Sequence, residues 1–211
     1  MAHVVLLGDS IFDNARYTEG GPAVIAQVRQ ILPDNWQASL LAQDGATTAN
    51  ILTQAQRVPR DVSYLVLSVG GNDALMNSDI LRMYVTSSAQ ALMELAEVSE
   101  KFEKDYRRAV DACQQLRVPL AICTIYNGSF PDREYQRLIS TALKVFNDPI
   151  LRVGIEFGLP IIDLRMICSS PLDYANPIEP NSIGGAKIAK CIAGVVMRPN
   201  APGEGARGFF S

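Results

Sequence analysis

Ser10 closes the tripeptide Gly8-Asp9-Ser10, which follows the aliphatic run HVVLL. Two further loops of similar make-up also follow aliphatic runs: Asp44-Gly45-Ala46-Thr47-Thr48 and Gly70-Gly71-Asn72-Asp73. Each alone is an ordinary strand-to-helix turn. Together they supply one hydroxyl, several backbone N–H groups left open by glycine, and one amide donor. Those are the parts that acyl transfer requires, because a hydroxyl attacks a carbonyl while fixed donors hold the developing oxyanion. Gly45 permits close backbone approach, and Asn72 offers an NH₂ donor.

The elements that must position these residues alternate along the chain. Residues 3–7, 36–42, 63–69, 118–126 and 159–164 read as strands, most of them continuous apolar runs. A helix opens at Gly20-Gly21-Pro22 and stops before Pro33, and a short one lies near residues 51–57. Longer helical patterns cover residues 87–116 and 133–157. The last helix, 184–196, carries Ile188, Cys191, Ile192 and Val195 at i, i+3, i+4, i+7 spacing. Such alternation implies parallel strands, right-handed crossovers and helices on both faces of the sheet. In that architecture a ligand sits beyond the carboxyl ends of the strands, where the three loops lie.

Composition sets the outer bounds. A chain of 211 residues is long enough for one full core, so residues 1–197 are expected to form a single domain. The Pro/Gly-rich tail, 198–211, is expected to be flexible. A net charge of −3 offers no basic footprint for nucleic acid. No apolar run is long enough to span a membrane, and Gly8-Asp9 interrupts any signal-like N-terminal core, so a cytoplasmic location is expected. Cys113, Cys123, Cys168 and Cys191 are scattered without CxxC spacing and read as buried reduced thiols.

The stretches GDSIFDN, DGATT, GGND and NPIEPNSIGGAKIA resemble, in order and at the usual spacings, the first, second, third and fifth blocks of the SGNH/GDSL hydrolases. The resemblance covers almost the whole chain. It implies a three-layer α/β/α fold of flavodoxin-like type, with a five-stranded parallel sheet in the order 2-1-3-4-5. It also implies a cofactor-free serine hydrolase that cleaves carboxylic esters, acyl-ester or lysophospholipid-like, through an acyl-Ser10 intermediate. By the same match Ser10 is the nucleophile, and the oxyanion donors are the Ser10 N–H, the Gly45 N–H and the Asn72 side chain. The partner implied is a small-molecule ester.

The family's fifth block ends in Asp-x-x-His, and here no histidine stands in it. The register that keeps the following proline and helix-opening glycine in place makes the acid Asn176 and the histidine Glu179. His3, the only histidine, begins the first strand, about 23 Å of extended chain from Ser10, at the wrong end of the sheet. Two roles for Glu179 stay open: base toward Ser10, or a charge favoured near the N-terminus of the last helix. A carboxylate of ordinary pKa, about 4.3, is a poorer base than imidazole at about 6.5, and burial would narrow the gap. Asn176 could orient Glu179 through its amide. Alternatively, Asp173 could sit beside it and raise its pKa.

Two rival functions use the same residues. A relative that has lost its base would be a binding module. The carboxylates Asp9, Asp13, Asp44 and Asp73 could instead hold a hard cation for phosphoester chemistry. The first loop lacks the paired aspartates of such sites, and roles in bracing turns fit these residues better, with Asp9, Asp13, Asp73 and Asp173 supporting the site and no metal bound. Arg16, Tyr17 and Glu19 are candidates for the substrate mouth. The apolar residues Met76, Leu81, Met83 and Tyr84, near the third loop, are candidates for an acyl pocket or lid.

Overall fold

The computed structural model describes residues 1–198 and 208–209. Five strands form the body of the sheet: β1 (Ala2–Gly8), β2 (Trp36–Leu40), β3 (Tyr64–Ser68), β4 (Leu120–Cys123) and β5 (Ile161–Ile162). They run parallel, as the alternation of elements implies, and in the order β2-β1-β3-β4-β5 that the family resemblance implies. Val4, Leu6 and Val66 pack on one face against helices α1 (Val24–Ile31) and α8 (Ser182–Val196). The odd-numbered neighbours Val5, Leu7, Leu65 and Leu67 pack on the other face. There they meet α2 (Ile51–Gln56), α4 (Ser88–Gln114) and α6 (Lys144–Glu156). A period of two in buried residues on both sides is why the strands read as unbroken apolar runs.

One expectation needs correction. The helical pattern over 133–157 is two helices, α5 (Arg133–Ala142) and α6, broken at Leu143. Pro149 lies inside α6 and cannot donate to the Val145 carbonyl. The Ser99 hydroxyl of α4 donates to that carbonyl instead, at 2.7 Å, which lets the helix run through the proline. The expected flexible tail lies largely outside the described residues. Within it, Gly208–Phe209 forms a two-residue parallel strand against Ile161–Ile162, a sixth strand on the sheet edge.

The first strand ends on glycine for a steric reason. Gly8 has φ 133°, and a Cβ there would lie 1.8 Å from the Ser68 carbonyl oxygen at the end of β3. The buried Gln54 amide clamps the Gly8 backbone from α2, accepting from its N–H and donating to its C=O, each at 2.8 Å. Nothing in the sequence singles out Gln54. With Gly8 fixed, the chain leaves the sheet at Asp9, and Ser10 is the first residue beyond the strand's hydrogen bonds. His3, at the start of the same strand, is buried between Asp61 (Nδ1 to Oδ1, 3.1 Å) and Ser39 (Nε2 to Oγ, 2.9 Å). It lies at the opposite end of β1 from Ser10. All four cysteines are free and buried.

Candidate active site

The Ser10 hydroxyl donates to Glu179 Oε1 at 3.1 Å, across 169 residues of chain. Both residues are 7% exposed. Glu179 is delivered by a small antiparallel hairpin, β6 (Tyr174–Asn176) and β7 (Glu179–Pro180), placed just before α8. The Tyr126 hydroxyl, in the loop after β4, donates to the Ile178 carbonyl and pins the hairpin turn beside the sheet. Glu179 lies two residues before the cap of α8, so its charge stays near the helix N-terminus, but it makes no capping bond. Asn181 caps α8 by accepting from the N–H groups of Ile183 and Gly184, at 2.8 and 3.1 Å.

Asn176 and Asp173 do not support Glu179 in the ways expected. The Asn176 carbonyl oxygen is turned onto the Ile178 N–H at 3.0 Å, a local turn bond, so its side chain does not orient the glutamate. Asp173 is fully buried beneath α8, accepts from the Ser170 N–H and pairs with Lys187 at 2.7 Å. Its carboxylate thus holds the base of the hairpin to the helix. It does not sit against Glu179.

The remaining carboxylates tie the three loops together. Asp13 Oδ2 accepts from the Asp44 N–H, joining the first loop to the second. Asp73 accepts from the Thr48 hydroxyl at 2.6 Å and from the Thr48 N–H, joining the third to the second. Asn72 Nδ2 donates one hydrogen to the Ala46 carbonyl at 2.9 Å, which fixes its amide and leaves the second hydrogen unused. Gly45 is in the left-handed region at φ 81°. The N–H groups of Ser10 and Gly45 meet no acceptor among the described residues. Asp44 itself is held by Arg16 and Tyr17, each at 3.0 Å. With these bonds made, Asp13, Asp44 and Asp73 brace turns, and no cluster of three metal-ligating side chains occurs among the described residues.

Burial dominates the electrostatics. It pushes the Glu179 carboxyl up to about 7, against the Ser10 hydrogen bond and with help from the Asp44 charge. Asp9, 3% exposed, is pushed up to about 8 by burial, opposed by the Ile11 N–H and reinforced by the charges of Glu179 and Asp73. A carboxyl whose folded pKa is raised binds more protons folded than unfolded, so stability falls as pH rises through the interval between the two values. For Asp9 that interval runs from 3.8 to about 8. Asp9→Asn keeps the acceptor for the Ile11 N–H and removes the charge. It should therefore raise the melting temperature at pH 8 by more than at pH 5. Equal shifts at both pH values would show that Asp9 is not protonated in the folded protein.

Ser10, Asn72, Asp9, Tyr17, Asn176 and Glu179 open onto one cavity of about 600 Å³. Gly45 is not part of its lining, although its neighbour Ala46 holds Asn72. Of the mouth candidates only Tyr17 lines the cavity, and of the acyl-pocket candidates only Leu81 does. Met76, Met83 and Tyr84 are exposed. The apolar wall comes in part from residues not singled out in the sequence, among them Leu95 and Val98 on α4, Ile139 on α5 and Phe146 on α6. Their helical spacing reads equally well as core packing, which is why the sequence did not mark them.

A family model for GDSL-like lipases and acylhydrolases matches residues 6–186. The chain belongs to that family. Solved structures of similar fold include a lipase from a goat rumen metagenome, at 17% identity, covering 90% of this chain and 95% of that one with a TM-score of 0.70. An extracellular lipase from Streptomyces rimosus is similar at 16% identity, with 89% and 96% coverage and a TM-score of 0.64. A phospholipase A1 from Streptomyces albidoflavus follows at 16% identity, with 88% and 95% coverage and a TM-score of 0.60. No curated protein matches the sequence. Membership of the GDSL family supports an ester hydrolase in general terms. No helix among the described residues of this GDSL protein is long and apolar enough to cross a membrane.

Proposed function

We propose that the protein hydrolyses carboxylic esters through an acyl-Ser10 intermediate, with Glu179 as the general base. The observation that carries this reading is the Ser10–Glu179 hydrogen bond at the polar end of a largely apolar cavity. Ser10 Oγ attacks the ester carbonyl carbon as Glu179 Oε1 takes its proton. The carbonyl oxygen becomes an oxyanion, held by the Ser10 N–H, the Gly45 N–H and the free hydrogen of the Asn72 amide. Collapse of this intermediate breaks the bond to the alcohol oxygen, which leaves with the proton from Glu179. Water then enters, gives its proton to Glu179 and attacks the acyl carbon. Ser10 departs with that proton, and the carboxylic acid is released. Every proton taken by Glu179 is returned, so no cofactor is required.

The ordinary objection to a carboxylate base is its low pKa, and burial removes it. At about 7, Glu179 matches an imidazole in proton affinity and is still largely ionised just above neutrality. Its second oxygen, Oε2, is buried with no hydrogen-bond partner among the described residues, which leaves the charge less stabilised and the carboxylate more basic.

A serine-directed fluorophosphonate should label wild type on Ser10 and leave Ser10→Ala unlabelled, and the variant should not hydrolyse p-nitrophenyl butyrate. Labelling of neither protein, with no hydrolysis by wild type, would sink the proposal in favour of a binding module. Asn72→Ala should lower kcat by about 10²–10³-fold with little change in KM, because the amide acts mainly on the oxyanion. A normal kcat in that variant would reduce the third loop to a turn.

A further inference from the structure

Given ester hydrolysis at Ser10, we infer that the cavity selects esters of long acyl chains with uncharged alcohols, and rejects those whose alcohol carries a phosphate or another anion close to the scissile bond. Two independent features of the lining point there: how its outer wall is built, and the sign of its charges.

The wall facing away from the sheet is made by α3 (Gly71–Met76), the turn Ser78–Arg82 and α5, and none of these contains a buried residue. Yet each turns apolar side chains inward, through Leu75, Leu81 and Ile139. Helices in water need a buried apolar face to be stable. Here that face lines a cavity of about 600 Å³, the liquid volume of about twenty waters. An acetyl group would occupy a corner next to Ser10 and leave the inward faces of α3 and α5 uncovered. A long acyl chain would cover them, so each methylene added to the substrate removes apolar surface from water on both sides of the contact.

The charge pattern restricts the other half of the ester. No Lys or Arg lines the cavity among the described residues, and its carboxyl groups are those of Asp9 and Glu179. Arg16 is paired with Asp44 and Lys187 with Asp173, and Arg82, at the end of the wall turn, is not among the lining residues. Catalysis needs Glu179 ionised, so an anionic alcohol would approach a negative, partly buried site with no cation in its lining to neutralise it. Two like charges about 6 Å apart at an effective dielectric near 20 repel by an amount worth about a hundredfold in binding. Among acyl-glycerol substrates, this disfavours a lysophosphatidate and favours the neutral monoacylglycerol.

The test uses the whole protein and substrates below their micellar concentrations. Across p-nitrophenyl acetate, butyrate, octanoate and dodecanoate, kcat/KM should climb by about two- to fourfold per methylene before levelling off. Dodecanoyl glycerol should be preferred over dodecanoyl glycerol phosphate by about a hundredfold. Ile139→Trp should cut the dodecanoate-to-acetate ratio at least tenfold; if it does not fold, Leu95→Phe should do the same. A binding arm does not depend on turnover: dodecanoyl glycerol should raise the melting temperature of Ser10→Ala, and the phosphate and triacetin should not. A flat chain-length profile, or equal thermal shifts with the phosphate, overturns the inference while the esterase reading stands. No hydrolysis by wild type together with the selective thermal shift overturns the esterase reading and leaves the cavity assignment intact.

Discussion

Replacing Glu179 by Gln should lower ester hydrolysis by about two to four powers of ten while leaving the melting temperature unchanged or higher. The drop is the range expected for losing a general base from an otherwise intact site. The glutamine keeps the size of the side chain and an oxygen able to accept from Ser10. Stability should not suffer, because the substitution removes a charge that burial disfavours. The pH profile of wild type checks the same point from another side. Only ionised Glu179 accepts the Ser10 proton, so kcat/KM should rise with pH through about 7 and then level off. A limb near pH 4 would mean that Glu179 is better solvated than its burial implies. A variant as active as wild type, with Ser10→Ala inactive, would assign the proton to another group.

Gly8→Ala should be among the most damaging single substitutions in the protein. Its Cβ would lie 1.8 Å from the Ser68 carbonyl oxygen, and the backbone sits at φ 133°, where side chains are strained. Backbone strain and overpacking each cost about 1–3 kcal/mol, and together they would remove about 3–5 kcal/mol from a typical total of about 5–15. The loss should appear as a sharp fall in melting temperature together with weaker fluorophosphonate labelling, since Ser10 is set by the same turn. Gly194→Ala is the control: it lies in α8 with nothing within 4 Å of the new methyl, and should be neutral or stabilising. If Gly8→Ala melted like the control, the close approach of β1 and β3 would not be what fixes the first loop.

What could be read from the sequence follows the range of the forces involved. The strands and their parallel pairing came from long apolar runs alternating with helical patterns, and their order from the resemblance to the SGNH/GDSL hydrolases. The three loops came from glycine and polar residues at the ends of those runs. The register that pointed to Glu179 came from matching Pro180, Asn181 and Gly184 to the family's fifth block. The hairpin that carries Glu179 has strands of three and two residues, too short for any periodicity to show. Whether Asn176 reached its neighbour Ile178 or Glu179 across the hairpin was a choice between hydrogen bonds of similar worth, and residue type does not decide it. Pro149 in mid-helix is a breaker by every local rule, and only the distant Ser99 hydroxyl accounts for it. The cavity is the clearest case. A residue such as Ile139 shows the same spacing whether it faces protein or a space left open.

The contact between Ser10 and a carboxylate changes how charge moves during the proposed reaction. With imidazole as base, attack on the ester creates a cation and an anion together, and each steadies the other. With Glu179, the resting site already carries the negative charge, and attack relocates it from the glutamate to the carbonyl oxygen of the substrate. The net charge stays constant throughout, and no new cation appears to offset the oxyanion. The donors of the first three loops therefore receive the whole of a migrating charge. The bonds from Asn72 to Ala46, Asp73 to Thr48 and Asp13 to Asp44, which lock those loops to one another, hold still the place where that charge arrives.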